Sequence, residues 1–291
     1  MEEIRSVAVL GAGTMGCGIA QAAALGGFAT QLHDLDGEAL ARARSAIERQ
    51  LARGVELGKV GGEAAAAALG RLSLSATIAG AVGEADLVIE AVPESLPAKL
   101  ALFAEVVRHA PAGAFLASNT SALSITEMAA ASGRPERFAG LHFFNPAHVM
   151  RLVELVRGLE TSDATVAALS AAVARMGKEV VVVRDVPGFA TSRINALIGN
   201  EAFRMLEQGV ASAEEIDRAV RLGLAHPMGP FEMVDLVGLD VRLAILEHLH
   251  ATLGEAFRPT NLQRQFVKAG RLGRKSGRGI YRYDGQGRRL P

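Results

Sequence analysis

Residues 5–27 read RSVAVLGAGTMGCGIAQAAALGG, and this stretch decides the fold. RSVAVL is a short apolar run rich in β-branched residues, as a buried strand requires. The run CGIAQAAALGG has the composition of a helix. Between them lie Gly11, Ala12, Gly13, Thr14, Met15 and Gly16. A Gly-x-Gly-x-x-Gly turn between strand and helix has a mechanical meaning: the first glycine makes the tight turn, the second lets a pyrophosphate reach the backbone, and the third lets helix and strand pack closely. The phosphates then meet free N–H groups at a helix N-terminus. A second strand, ATQLHD, ends in Asp34 at the spacing expected of an acid that binds a ribose diol. An aspartate there repels a 2′-phosphate, so the expected dinucleotide is NAD and not NADP. Asp36 is a weaker candidate for the same place.

Outward from this stretch, strands and helices alternate to about residue 185, the pattern of a wound, parallel α/β sheet. Residues 37–70 read as two helices joined around Gly58–Gly62. ADLVIEAVP, GAFLASNT and KEVVVVRDVPG supply further strands. At Pro187-Gly188 the periodicity turns helical, and residues 189–209, 212–223 and 231–254 read as three amphipathic segments. The expected fold is α/β: a Rossmann-like doubly wound sheet over 1–186, followed by an all-α C-terminal domain over 187–291. A chain of 291 residues is long for one domain, which agrees with two.

The second informative stretch is GLHFFNPAHVMRLVEL, Gly140 to Leu155. LHFF reads as a strand, Asn145-Pro146 as a turn and LVELV as a second strand. His142 and Glu154 are the polar residues inside these apolar runs. A buried carboxylate needs a partner, and histidine is the usual proton carrier near neutral pH. If the strands pair, Glu154 orients His142 and stabilises its protonated form. That is the base half of an acid–base site.

Composition bounds the partners. The formal net charge is zero, so nothing points to nucleic acid. No apolar run reaches the length of a membrane span. The N-terminus leads directly into the first strand, leaving no room for a signal peptide. Cys17 is the single cysteine, which fits a cytoplasmic location and the reading of a small packing residue. No His, Asp or Glu cluster suggests a metal.

Taken in order, VLGAGTMGCGIA, ADLVIEAVPE, SNTSALSI, GLHFFNPAHVMRLVEL, DVPGF, HPMGPFEMVDLVGLDV and GRLGRKSGRGIY resemble the NAD-dependent 3-hydroxyacyl-CoA dehydrogenase family, of the 3-hydroxybutyryl-CoA dehydrogenase type, over nearly the whole chain. The resemblance implies His142 as catalytic base, Glu154 as its paired carboxylate and Ser121 as a hydrogen-bond partner of the substrate's 3-oxygen. It places Asp34, Ala91, Glu94, Lys99 and Asn145 around the cofactor, with Gly11, Gly13, Thr14, Met15 and Gly16. Where the family often has asparagine in PGFxxNR, this chain has Ser192, with Asn195 one helical turn on. The implied reaction interconverts a (3S)-3-hydroxyacyl-CoA, of short chain, and its 3-oxoacyl-CoA. A homodimer through the helical domain is also implied.

Other readings stay open at this level. Ser121 can cap the helix that begins near LSITEMAA, with Ser124 as rival. Glu154 can bridge to Arg151, and Glu90 can serve a cap or turn. The basic loop Gly273–Arg278 can approach a CoA phosphate or lie in solvent. A dehydrogenase of a free hydroxy acid or sugar acid shares the His–Glu pair, and an NAD-binding protein without activity shares the glycine loop.

Overall fold

The computed structural model describes residues 3–291, which divide into two compact units, one ending at Val186 and the other spanning Pro187–Pro291. In the first unit the apolar runs become β1 (Ser6–Leu10), β2 (Ala29–His33), β3 (Leu72–Ser75), β4 (Leu87–Glu90), β5 (Phe115–Ser118), β6 (Phe138–Phe143), β7 (Leu152–Arg157) and β8 (Glu179–Arg184). The helices between them are α1 (Thr14–Leu25), α2 (Gly37–Glu56), α3 (Gly62–Arg71), α4 (Ile78–Val82), α5 (Leu96–His109), α6 (Ile125–Ala131) and α7 (Asp163–Arg175).

The eight strands form one sheet in the order β3-β2-β1-β4-β5-β6-β7-β8. Strands β3 to β6 run parallel, and β7 turns back antiparallel on β6. The order reverses between β1 and β4, and in open α/β sheets ligands bind outside the carboxyl ends of strands at such a switch point. The glycine loop after β1, the turns after β4 and β5, and the turn after β6 therefore share one end of the sheet.

Close packing fixes α1 on this sheet. A Cβ on Gly16 would overlap the carbonyl oxygen of Gly11, and a Cβ on Gly18 would come within 2.9 Å of the Ala147 side chain. Ile19, Leu32, Ile47 and Leu51 join the core beneath it. Each such side chain contributes roughly 1.5–3 kcal/mol by leaving water.

The second unit holds α8 (Thr191–Glu207), α9 (Ala213–Gly223), α10 (Pro230–Val237), α11 (Leu239–Leu253) and α12 (Asn261–Lys268). The segment 231–254, expected as one amphipathic stretch, is broken at Gly238, whose φ of 108° is open to glycine and closed to a helix. Helix α12 was not anticipated. The unit's largest core packs Phe203, Phe231, Val234 and Leu239 against Tyr281 and Tyr283 from the C-terminal segment. Two buried carboxylates hold that segment. Asp235 accepts from the Ile280 and Tyr281 amides and the Tyr283 hydroxyl. Asp217 accepts from the Phe231 and Glu232 amides and the Tyr281 hydroxyl. The basic loop folds into the same unit: Lys275 Nζ lies 2.7 Å from Asp240 Oδ2, and the Arg274 guanidinium stands over the Tyr283 ring.

Candidate active site

Strand pairing brings His142 and Glu154 together. In the antiparallel β6–β7 ladder the two are directly opposed. His142 Nδ1 lies 2.8 Å from Glu154 Oε2, and both residues are buried. A carboxylate offers only acceptors, so Nδ1 carries the proton. Nε2 is then turned to Ser121 Oγ, 3.2 Å away. The Phe144 ring flanks the imidazole with a centroid separation of 4.5 Å. Arg151 pairs with Glu179, not with Glu154.

Ser121 is placed by the turn that follows β5. Thr120 Oγ1 accepts from the Ala122 and Leu123 amides, which closes the turn. The Ser121 amide donates to Glu94 Oε1 at 3.0 Å. Asn119 Oδ1 accepts from the Phe143 amide at 2.9 Å and ties the turn to the end of β6. Ser124, not Ser121, caps α6, accepting from the Glu127 amide. The Ser121 hydroxyl is thereby left for the imidazole.

The glycine loop fits a dinucleotide on its own geometry. Gly11 has φ 105°, and a Cβ there would strike the Ala91 carbonyl. Gly13 is different. Its φ is −71°, and a Cβ there would meet nothing within 4 Å. Nothing in the protein requires glycine at Gly13, so the open space over it is suited to a ligand. Helix α1 starts there without a side-chain cap, with Thr14, Met15 and Gly16 forming its first turn. Amides at such an end attract a pyrophosphate. Asp34 stands beside the loop: Oδ2 accepts from the Ala12 amide at 2.8 Å and Oδ1 from the Asp36 amide. Both oxygens keep lone pairs for a diol. Asp36 instead caps α2 and pairs with Arg42. Its carboxyl lies below the usual range, chiefly through the Glu38 amide bond.

Of the other expected cofactor residues, Ala91 sits against Gly11 with its amide donating to Leu10 O. Asn145 is exposed just beyond β6. Lys99 does not present its ammonium at the surface, being only 1% exposed and bonded to Glu90, Glu94 and the Val92 carbonyl. The resemblance places Lys99 around the cofactor, and the structure sets its ammonium between Glu90 and Glu94, beneath the turn that carries Ser121. Ser118, Thr120 and Asn119 were missed as supports, whereas Glu90, read as serving a cap or turn, accepts from the Val92 amide in the turn after β4. The one available signal was Glu90 itself, an acid ending the apolar run LVIE.

Ser192 belongs to the second unit, in the first turn of α8. Near it the unit has an apolar cavity of about 270 Å³, lined by Thr191, Ile194, Asn195, Ile198, Met228 and Met233. His226 also lines it. In the first unit a cavity of about 610 Å³ touches Ser6, Ala29, Gln31 and Gly80. Ser6 and Ala29 begin their strands, so that cavity is at the end away from the glycine loop and His142.

The sequence matches two family models in succession: the NAD-binding domain of 3-hydroxyacyl-CoA dehydrogenase over residues 6–186, and its C-terminal domain over 188–283. The chain belongs to the 3-hydroxyacyl-CoA dehydrogenase family. A probable 3-hydroxybutyryl-CoA dehydrogenase of Bacillus subtilis is 46% identical, covering 97% of this chain and 98% of the relative. The 3-hydroxybutyryl-CoA dehydrogenase of Bradyrhizobium diazoefficiens is 44% identical, with 97% and 96% covered. Among solved structures, the (S)-3-hydroxybutyryl-CoA dehydrogenase of Ralstonia eutropha superposes with a TM-score of 0.94 at 42% identity, covering 97% of this chain and all of that one. Members of this family are NAD-dependent oxidoreductases, and the NAD-binding domain model spans the residues that hold the glycine loop and Asp34.

Proposed function

We propose that the chain interconverts a short-chain (3S)-3-hydroxyacyl-CoA and its 3-oxoacyl-CoA, with His142 as the acid–base residue. The line Glu154–His142–Ser121 carries this reading, because it sets an imidazole nitrogen against a hydroxyl at the same end of the sheet as the glycine loop. In oxidation, neutral His142 takes the alcohol proton at Nε2, where the Ser121 hydroxyl now donates. Glu154 stabilises the imidazolium that forms and holds its ring, as an orienting carboxylate does in other histidine sites. Ser121 holds the 3-oxygen, and Ser192, in the second unit, stands in the place where the family often has asparagine. In reduction the imidazolium returns the proton to the ketone oxygen. When bound, NAD supplies the hydride acceptor, and the protein positions and polarises around it.

The names of the two bacterial relatives support a four-carbon acyl chain. A homodimer through the helical unit is supported by its exposed apolar side chains, among them Leu222, Leu224 and Val210. A cytoplasmic location is supported by the single cysteine, which rules out an internal disulfide. No helix among the described residues is long and apolar enough to cross a membrane.

The test is His142→Ala. Turnover of acetoacetyl-CoA should fall by about a hundred- to ten-thousandfold, while NADH binding, read by fluorescence, stays as it was. Normal turnover in that variant contradicts the assignment of the base.

A further inference from the structure

Glu90 ends β4, a strand whose four side chains are all buried, and the residue itself is 0% exposed. An ionised carboxylate in such a place requires a counter-charge and a full set of donors. Lys99, on the first turns of α5, supplies the charge, with Nζ 2.5 Å from Glu90 Oε1. The same oxygen accepts from the Val92 amide at 2.7 Å. Glu90 Oε2 accepts from Ser118 Oγ at 2.6 Å, and Ser118 Oγ in turn accepts from the Thr120 amide at 3.2 Å.

A second arm leaves the same lysine. Nζ lies 3.3 Å from Glu94 Oε2. Glu94 Oε1 accepts from Thr120 Oγ1 at 2.5 Å and from the Ser121 amide at 3.0 Å. The two arms, one through Glu90 and Ser118 and one through Glu94, meet at Thr120–Ser121. The Glu90 carbonyl adds a third tie by accepting from the Asn119 amide at 2.9 Å.

We infer that Glu90 and Lys99 are positioning residues that set the Ser121 hydroxyl against His142 Nε2. This rests on the reading of Ser121 and His142 as groups that meet the reacting oxygen. Neither Glu90 nor Lys99 needs to touch substrate. Together they anchor both sides of the turn that carries Ser121, from strand β4 and from helix α5. A buried ion pair is a poor source of net stability, since an apolar pair of similar volume often serves as well. Its value here is directional: a displacement of the order of 1 Å at a reacting group costs about a hundredfold in rate.

The test is a double-mutant cycle of Glu90→Gln with Ser121→Ala. Glutamine keeps the shape of the side chain and an acceptor while removing the charge. Glu90→Gln alone should lower kcat with acetoacetyl-CoA by about ten- to a hundredfold, with the KM for acetoacetyl-CoA and the Kd for NADH changed by less than about threefold. In the Ser121→Ala background the same substitution should cost less than about threefold, because no hydroxyl is left to position. Full multiplication of the two losses overturns the proposal, as does a Glu90→Gln enzyme with unchanged kcat or a loss confined to KM. A Ser121→Ala enzyme as fast as the unmodified one contradicts the reading of Ser121 itself, and this proposal with it. Should Glu90→Gln alone fail to fold, Glu90→Gln combined with Lys99→Met removes the buried ammonium that has lost its buried counter-charge and carries the same cycle with the same outcomes.

Discussion

A carboxylate accepts and never donates, so Glu154 decides which nitrogen of His142 carries its proton. The other nitrogen is left with a lone pair directed at Ser121. The same logic applies at Asp34, whose two oxygens hold the Ala12 and Asp36 amides and keep lone pairs for a ribose diol. Asp34→Ala should erode the preference for NADH over NADPH, because the charge that repels a 2′-phosphate is gone. The ratio of kcat/KM for the two cofactors measures this, and an unchanged ratio would return the role to another group. These residues were legible in the sequence because an acid at the end of a strand and a histidine in an apolar run are conspicuous. Glu90 was legible only as an anomaly. Its partner Lys99 lies nine residues on, across a turn, and sequence spacing gave no reason to pair them.

At the scale of the element, the glycine loop separates two functions of glycine. Gly16 serves the fold, since any Cβ there collides with the Gly11 carbonyl. Gly13 has no such constraint. Gly13→Ala should therefore fold with a Tm within a few degrees of the unmodified protein and bind NADH at least tenfold more weakly. Gly16→Ala should be strongly destabilised or fail to fold. Calorimetry beside an NADH titration reads both, and weak folding of Gly13→Ala would show that the loop, not a ligand, needs the space. The β6 and β7 strands were readable as two apolar runs joined by Asn145-Pro146, but not their antiparallel sense, since alternating strands and helices suggest a parallel sheet. The helical unit was less so. Gly238 sits inside an unbroken amphipathic pattern, and periodicity does not reveal that its φ is positive. Helix α12 is short and mostly polar, with Gln263 its one fully buried residue, so it carries little apolar signal.

At the scale of the whole molecule, Asp86 in the first unit and the buried pair Asp217 and Asp235 in the second respond oppositely to acid. In the first, Asp86 Oδ2 gathers the Arg5 and Ser6 amides and the Ser6 hydroxyl. Burial works to raise this carboxyl, but the hydrogen bonds from Arg5 and Ser6 outweigh it and hold it below its ordinary value. Its contribution to stability is present above the unfolded carboxylate range and is lost as pH falls through the folded value. In the second unit burial raises Asp217 and Asp235, and their donors offset it only in part. Their contribution is complete below the unfolded value, about 4, and is lost as pH rises through the folded one. The difference in Tm between the unmodified protein and Asp86→Asn should therefore shrink below about pH 4. The corresponding difference for Asp217→Asn should be larger at pH 4.5 than at pH 7.5. Thermal unfolding followed at several pH values checks both slopes, and parallel behaviour of the two variants contradicts the assignment.

The measurement that bears most directly on function is the loss of NADH absorbance with acetoacetyl-CoA, run beside free acetoacetate at the same concentration. Rapid loss with the thioester alone is the predicted result. Equal rates with both substrates, or no loss with either, would contradict a 3-hydroxyacyl-CoA dehydrogenase built on His142, Glu154 and Ser121.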